Sequence, residues 1–179
     1  MVESLLLGFS LAADAVSVSI ACAVRTENVS VGQAASMALT FGAFQAVMPL
    51  IGWAVGSAVA AHVATVGPWL AAVVFLALGL KMLREGWSGD TGGREWPPTR
   101  ELLALGLATS IDALVIGATL AVTGTPIWLA APTIGVVTAA SCAIALFVGR
   151  RVGERAGPRA SLAGGVLLVL LAVRALFFA

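Results

Sequence analysis

Two aspartates lie near the middle of apolar segments that are long enough to cross a bilayer. Asp14 lies in LLLGFSLAADAVSVSIACAV, and Asp112 lies in LLALGLATSIDALVIGATLAV. A carboxylate at the centre of a bilayer costs about 2.5 to 3.5 kcal/mol on insertion scales, and such groups usually face a polar partner or pathway. Because two segments carry this cost in matching surroundings, we expect both aspartates to act on something polar that crosses the membrane.

Hydroxyl groups accompany both aspartates. Residues three or four apart share a helix face, so Ser10, Asp14 and Ser17 form one stripe, and Thr109 lies beside Asp112. Carboxylate and hydroxyl oxygens are hard ligands that suit Mg²⁺, Ca²⁺ or Mn²⁺ better than the soft thiolate sites of zinc and copper. The alternative roles are helix packing for the hydroxyls and a structural hydrogen bond for the aspartates.

A third polar group lies in the segment FGAFQAVMPLIGW. Pro49 has no N–H, so the carbonyl of Gln45, four residues earlier, loses its helical partner. Gln45 could therefore offer a cation both its side-chain amide oxygen and its backbone carbonyl, as broken helices do in transporters. The alternative is a proline kink that only shapes helix packing.

The composition indicates an integral membrane protein. The 179 residues are 60% hydrophobic and 11% charged, and the mean hydropathy is +1.03. With about 20 residues per spanning helix, the chain predicts an all-α membrane protein of one domain, covering 1–179, with no extramembrane domain. A net charge of +1 argues against nucleic acid as a partner. The six predicted helices are 4–24, 33–60, 69–86, 102–123, 127–149 and 161–178, and the sequence VGPW, which contains Pro68, marks the break before the third.

The two halves of the chain resemble each other, with repeat 1 at about 1–87, a polar loop at about 88–100 and repeat 2 at about 101–179. Because each half has an odd number of helices, the two repeats must have opposite orientations. Inverted repeats are typical of secondary transporters that bind substrate near the membrane midplane. The aligned residues are Asp14 with Asp112, Leu7 with Leu105, Gly8 with Gly106, Ala23 with Ala121, Gly52 with Gly149, and Lys81 with Arg174.

Basic residues predict the orientation, since cytoplasmic loops are enriched in Lys and Arg. They concentrate in the loops after the first, third and fifth helices, whereas the other side has only His62 and, inside the last helix, Arg174. Both termini are therefore expected outside the cytoplasmic membrane. Lys81 and Glu85, four residues apart, are interpreted as an interfacial anchor at the cytoplasmic end of the third helix.

Four segments together resemble the bacterial manganese efflux pump family (MntP), namely AADA, ATSIDA, FGAFQAVMPLIGW and LGLKMLREGW. The resemblance covers nearly the whole chain. It implies a transporter, not an enzyme, that exports Mn²⁺ and belongs to the broader group of lysine exporters and divalent-cation transporters. Mn²⁺ is then a substrate, not a cofactor. The family's acidic positions map onto Asp14 and Asp112, and its polar position before the proline maps onto Gln45, where some members carry Glu.

Two other functions would also use paired intramembrane aspartates. An intramembrane aspartyl protease also carries paired aspartates, but in tyrosine-aspartate and glycine-x-glycine-aspartate settings, and this chain has no Tyr. Export of another divalent metal or a small cationic solute would use the same residues. In the preferred mechanism two carboxylates neutralise one divalent cation, and protons replace the cation after its release.

Overall fold

The computed structural model describes residues 2–26, 29–88, 96–123, 126–156 and 158–177, and the regular structure within them is entirely helical. The predicted all-α membrane class is confirmed. Part of the central polar loop, 89–95, lies outside the described residues. The helices in chain order are α1 (Val2–Arg25), α2 (Val31–Val55), α3 (Ser57–Ser88), α4 (Thr99–Ala108), α5 (Ile111–Thr123), α6 (Ile127–Ala156) and α7 (Pro158–Phe177).

Within the described residues, four helices are long and apolar enough to cross a membrane: α1, α2, α3 and α6. The pair α4 and α5 forms a fifth span if it is counted as one helix bent by 40°. The apolar part of α7, Leu162–Phe177, is shorter. A six-span arrangement requires α7 to cross as well, and that part of the prediction stays a prediction.

Both ends of α2 have local signals that explain them. Ser30 caps the N-terminus by accepting from Gln33 N, and Gln33 Oε1 accepts from Ser30 N, which is a capping box. At the other end, Gly56 has φ of 78°, a conformation that favours glycine, and its N–H donates to the carbonyl of Gly52. Gly56 alone connects α2 to α3.

The predicted boundary between the second and third helices is therefore wrong. The sequence VGPW was expected to separate 33–60 from 69–86, but Pro68 lies inside α3, which begins at Ser57. A proline removes one helical hydrogen bond, and tertiary packing can compensate for that loss. Here the neighbouring Gly67 is buried so closely against Ile111 of α5 that a side chain would collide with it.

The predicted fourth helix, 102–123, is divided in two. It ends at Ala108 and resumes at Ile111. The hydroxyls of Thr109 and Ser110 donate to the carbonyls of Gly106 and Leu107, both at 3.1 Å. Such local bonds compete with regular helix geometry, so two adjacent hydroxyl residues account for the break.

Helix packing relies on small residues. The main contacts of α1 are with α6 and α7, those of α2 are with α6 and α5, and those of α3 are with α7 and α5. Where α2 crosses α6, a Cβ on either Gly42 or Gly135 would lie 2.8 Å from the carbonyl oxygen of the other glycine. Close backbone contact of this kind is a common way for helices to associate in a membrane.

We expect Gly42→Ala to destabilise the protein by about 1 to 3 kcal/mol, because the added methyl group meets backbone atoms of α6 that cannot move independently. Gly32→Ala is the matched control in the same helix, since a Cβ there meets only Ser30 Oγ at 3.9 Å. Thermal unfolding in detergent measures both variants. Equal unfolding temperatures for the two would contradict the packing described at this crossing.

Candidate functional site

The two intramembrane aspartates meet in one cavity. Asp14 from α1 and Asp112 from α5 both line a space of about 410 Å³. Arg174 from α7 lines the same space, and much of the remaining wall is apolar, with Phe75 and Leu171 among its residues. The cavity therefore places two acidic groups and one basic group in surroundings that strengthen their electrostatic interactions.

Arg174 forms an ion pair with Asp14 in this cavity. Its Nη1 donates to Asp14 Oδ1 at 2.5 Å, with the Arg174 side chain 59% exposed and that of Asp14 27% exposed. Asp112 interacts electrostatically with both of them. Sequence reasoning used Arg174 only in the repeat alignment and in the assignment of orientation, and it missed Arg174 as a site residue, although a lone basic residue within an apolar helix is itself a functional signal.

Asp112 lies in the first turn of α5, directly after the break. Its Oδ1 accepts a hydrogen bond from Ala113 N at 2.8 Å, and a helix N-terminus favours a negative charge. Discontinuous membrane helices often present such termini to ions and substrates. The sequence contained a signal for this break, because Thr109 and Ser110 are residue types that begin helices and they directly precede Ile111 and Asp112.

Gln45 joins the two helices that carry the aspartates. It is fully buried, and its Nε2 donates to the carbonyl of Leu11 at 3.1 Å and to the carbonyl of Thr109 at 2.9 Å. These carbonyls belong to residues three positions before Asp14 and Asp112. Gln45 therefore fixes the relative placement of both aspartate-bearing segments through one amide nitrogen.

The oxygen of the Gln45 side chain is placed differently from its nitrogen. Oε1 is buried and has no hydrogen-bond partner among the described residues, and Gln45 does not line the cavity. Two carbonyl acceptors beside one end of the amide identify that end as the nitrogen, since an oxygen there would be repelled. The geometry therefore makes Gln45 a donor between helices.

The predicted hydroxyl residues also lie away from the cavity wall. Ser17 Oγ donates to Ala13 O at 2.9 Å, and the hydroxyl of the buried Thr109 donates to the carbonyl of Gly106 in α4. Ser10 is exposed. Within the described residues, no group of three or more His, Cys, Asp or Glu side chains could hold a metal ion. The structure thus brings together Asp14 and Asp112 from the predicted set, and it does not bring Gln45, Ser10, Ser17 or Thr109 to the same surface.

Lys81 belongs to a separate location between α3 and α4. Its Nζ lies 2.7 Å from Glu101 Oε1, and both residues line a second cavity of about 290 Å³. The side chain of Glu85, its predicted partner, lies outside the described residues. Although the repeat alignment pairs Lys81 with Arg174, the two side chains have different surroundings, because only Arg174 reaches an intramembrane aspartate.

The contacts of Gln45 predict that Gln45→Glu will be more harmful than its small change in shape suggests. A glutamate would place a carboxylate oxygen against the carbonyls of Leu11 and Thr109, so that two hydrogen bonds, each worth about 0.5 to 1.5 kcal/mol, are replaced by repulsion between oxygens. We expect lower thermal stability and reduced metal export. Gln45→Ala should also destabilise the protein, by loss of the same two bonds.

Gln33→Glu is the matched control for this substitution, because it makes the same chemical change in the same helix and a glutamate serves equally well in a capping box. Measurements of thermal unfolding and of metal tolerance in cells would compare the variants. A Gln45→Glu protein as stable as Gln33→Glu, with normal export, would show that the amide nitrogen is not required.

Comparison with known proteins agrees with the resemblance found in the sequence. The family model described as "Putative manganese efflux pump" matches residues 28–176. Relatives bearing that name include a protein of Sorangium cellulosum, 40% identical over 96% of this chain and 93% of its own length, and one of Nitratidesulfovibrio vulgaris, 39% identical over 98% and 90%. A third, from Syntrophotalea carbinolica, is 35% identical over 96% and 93%. No solved structure matches the chain. The chain belongs to the manganese efflux pump family.

Proposed function

We propose that this protein is a membrane transporter, not an enzyme, and that it exports Mn²⁺ from the cytoplasm by binding it between Asp14 and Asp112. The observation that carries the proposal is the convergence of both carboxylates on one cavity. Membership of the efflux family supports manganese as the substrate. Carboxylate oxygens suit Mn²⁺, and water or backbone oxygens can complete its coordination.

Charge balance supports a divalent substrate. Two carboxylates in a cavity with apolar walls repel each other, and one divalent cation between them leaves a nearly neutral group. This balance counts the two carboxylates after the Arg174 guanidinium has left Asp14, because Arg174 adds one positive charge while it stays there. A monovalent cation would then leave a net negative charge. In the proposed cycle, protons take the place of the cation after it has left on the outer side, so that Mn²⁺ moves in exchange for H⁺.

An inverted repeat would place this site at the membrane midplane, and the helix contacts support that arrangement. In the proposed correspondence, α1 matches the α4–α5 pair, α2 matches α6, and α3 matches α7. The packing of α1 on α6 then matches that of α5 on α2, and the packing of α1 on α7 matches that of α5 on α3. Gln45 adds support, because it bonds to Leu11 and Thr109, which the repeat alignment makes equivalent.

Helix contacts also support the proposed orientation. Near the end of α6, Gly149 packs against Ala23 near the end of α1, and near the end of α3, Gly86 packs against Leu162 near the start of α7. The ends of α1, α3 and α6 therefore lie on one side of the protein. Most basic residues of the chain follow or surround these ends, so this side is proposed to be cytoplasmic and both termini to be outside.

Transport assays on variants of the two aspartates test the proposal. Asp14→Asn and Asp112→Asn each keep the side-chain volume and remove a negative charge, so we expect normal insertion in the membrane and loss of Mn²⁺ transport into proteoliposomes. Asp90→Asn is the matched control, because Asp90 is the remaining aspartate of the chain. Wild-type transport by either cavity variant would mean that this carboxylate has a structural role.

The same proteoliposomes separate the alternatives that share this site. An imposed pH gradient should accelerate Mn²⁺ transport by the wild-type protein, and indifference to the gradient would refute H⁺ exchange. Parallel measurements with Mg²⁺, Ca²⁺ and Zn²⁺ compare manganese with other divalent metals, and a small organic cation tests the solute alternative. Manganese is expected to be transported fastest at equal concentration.

The orientation predicts which loops an impermeant thiol reagent reaches in intact cells. In a variant lacking Cys22 and Cys142, a cysteine at Thr91 should stay unlabelled until the cells are opened, because the loop at 88–100 is proposed to be cytoplasmic. A cysteine at Ser57, next to the turn between α2 and α3, should be labelled from outside and serves as the control. The reverse pattern would invert the proposed topology.

A further inference from the structure

The contact between Arg174 and Asp14 creates a conflict with metal binding at the same carboxylate. Arg174 Nη1 lies 2.5 Å from Asp14 Oδ1 inside the proposed metal cavity. A guanidinium and a divalent cation repel each other, and both would be held by one acidic group in surroundings of low polarity. The arginine contact and full coordination of the metal by Asp14 therefore exclude each other.

The charges of the cavity explain why an arginine is placed there. Without Arg174, the two carboxylates would carry a charge of about −2 in a largely apolar space whenever neither metal nor protons are bound to them, which is costly. The guanidinium reduces this charge by one, and it does so at every physiological pH because arginine stays protonated. The side chain is long and 59% exposed, so it can leave Asp14 without disturbing the helix that carries it.

From this geometry we infer that Arg174 is a tethered cation that competes with the transported metal for Asp14. Asp112 then receives the incoming ion first, and Asp14 becomes a ligand as the guanidinium moves away. Return of Arg174 to Asp14 weakens the site and promotes release. This inference rests on the proposed function, since it takes the Asp14 and Asp112 cavity as the metal site, and it adds a residue that sets affinity.

Metal binding to purified variants tests the competition directly. The loss of the free Mn²⁺ signal in electron paramagnetic resonance measures binding to protein in detergent. We expect Arg174→Gln to bind Mn²⁺ on the order of tenfold more tightly, because one competing charge is removed close to the ligand, and Arg174→Lys to stay near the wild-type affinity. In proteoliposomes Arg174→Gln should lower both the half-saturating Mn²⁺ concentration and the maximal rate, since release becomes slower.

Two controls separate competition from other effects. Lys81→Gln removes the same charge at the second cavity, where Lys81 contacts Glu101, and it should leave Mn²⁺ affinity unchanged. In an Asp14→Asn background, where Mn²⁺ binding is expected to be lost, Arg174→Gln should not restore binding, because the carboxylate for which the guanidinium competes is absent. Unchanged or weaker binding by Arg174→Gln would overturn the inference.

A measurement on the wild-type protein avoids dependence on how the variants fold. Phenylglyoxal modifies arginine side chains, and mass spectrometry locates the modified residues. Mn²⁺ should increase the rate of modification at Arg174 by releasing it from Asp14, while the exposed Arg84 reacts equally with and without metal. A rate at Arg174 that does not respond to Mn²⁺ would contradict the inference.

These results distinguish failure of this inference from failure of the proposed function. If Asp14→Asn and Asp112→Asn both lose Mn²⁺ binding but Arg174→Gln does not tighten it, the cavity still binds metal and Arg174 is not a competitor. If both aspartate variants bind Mn²⁺ normally, the site itself is refuted and the inference is refuted with it.

Discussion

The cost of holding two carboxylates together in apolar surroundings constrains much of this structure. Each carboxylate loses hydration within the membrane, and each raises the energy of the other. The fold offsets these costs by separate means. Arg174 neutralises Asp14 through an ion pair, whereas Asp112 gains a backbone hydrogen bond and the favourable end of a helix dipole at the break before α5. The two acids are thus equivalent in sequence and different in environment.

In the proposed mechanism, that difference gives the cavity two states, one with Arg174 at Asp14 and one with the metal there. A site with two equally available carboxylates would bind a divalent cation tightly and release it slowly. A site in which one carboxylate is already occupied by a guanidinium binds less tightly, and exchange of the guanidinium for the metal changes the local charge by about one unit, whereas the same site without the guanidinium would change by about two units. For an exporter, moderate affinity is useful, because the ion must leave the protein on every cycle.

The position of the two carboxylates depends on helix contacts that leave little freedom. Gln45 ties the backbone of α1 to the backbone of the α4 to α5 break through one nitrogen. Glycines at the α2 and α6 crossing allow the backbones to approach closely. A movement that changes access to the cavity must therefore carry these contacts with it or break them.

Sequence reasoning anticipated the features that depend on composition and on single residues. The membrane class follows from hydropathy, and the choice of Asp14 and Asp112 as candidate site residues follows from the cost of burying charge. The role of Gln45 could not be obtained in this way. Whether an amide offers its oxygen to an ion or its nitrogen to a carbonyl depends on how three helices cross. The partner of Arg174 depends likewise on tertiary packing, and Pro68 misled the boundary prediction because packing allowed the helix to continue through it.

The most direct test of the account is to locate manganese in the protein. Crystals grown with Mn²⁺ would show the metal by its anomalous scattering, independently of any effect of mutation on folding or transport. The account predicts one strong peak in the cavity, within coordination distance of both Asp14 and Asp112, with the Arg174 guanidinium moved away from Asp14. A strong peak elsewhere, together with an intact ion pair between Arg174 and Asp14, would contradict it.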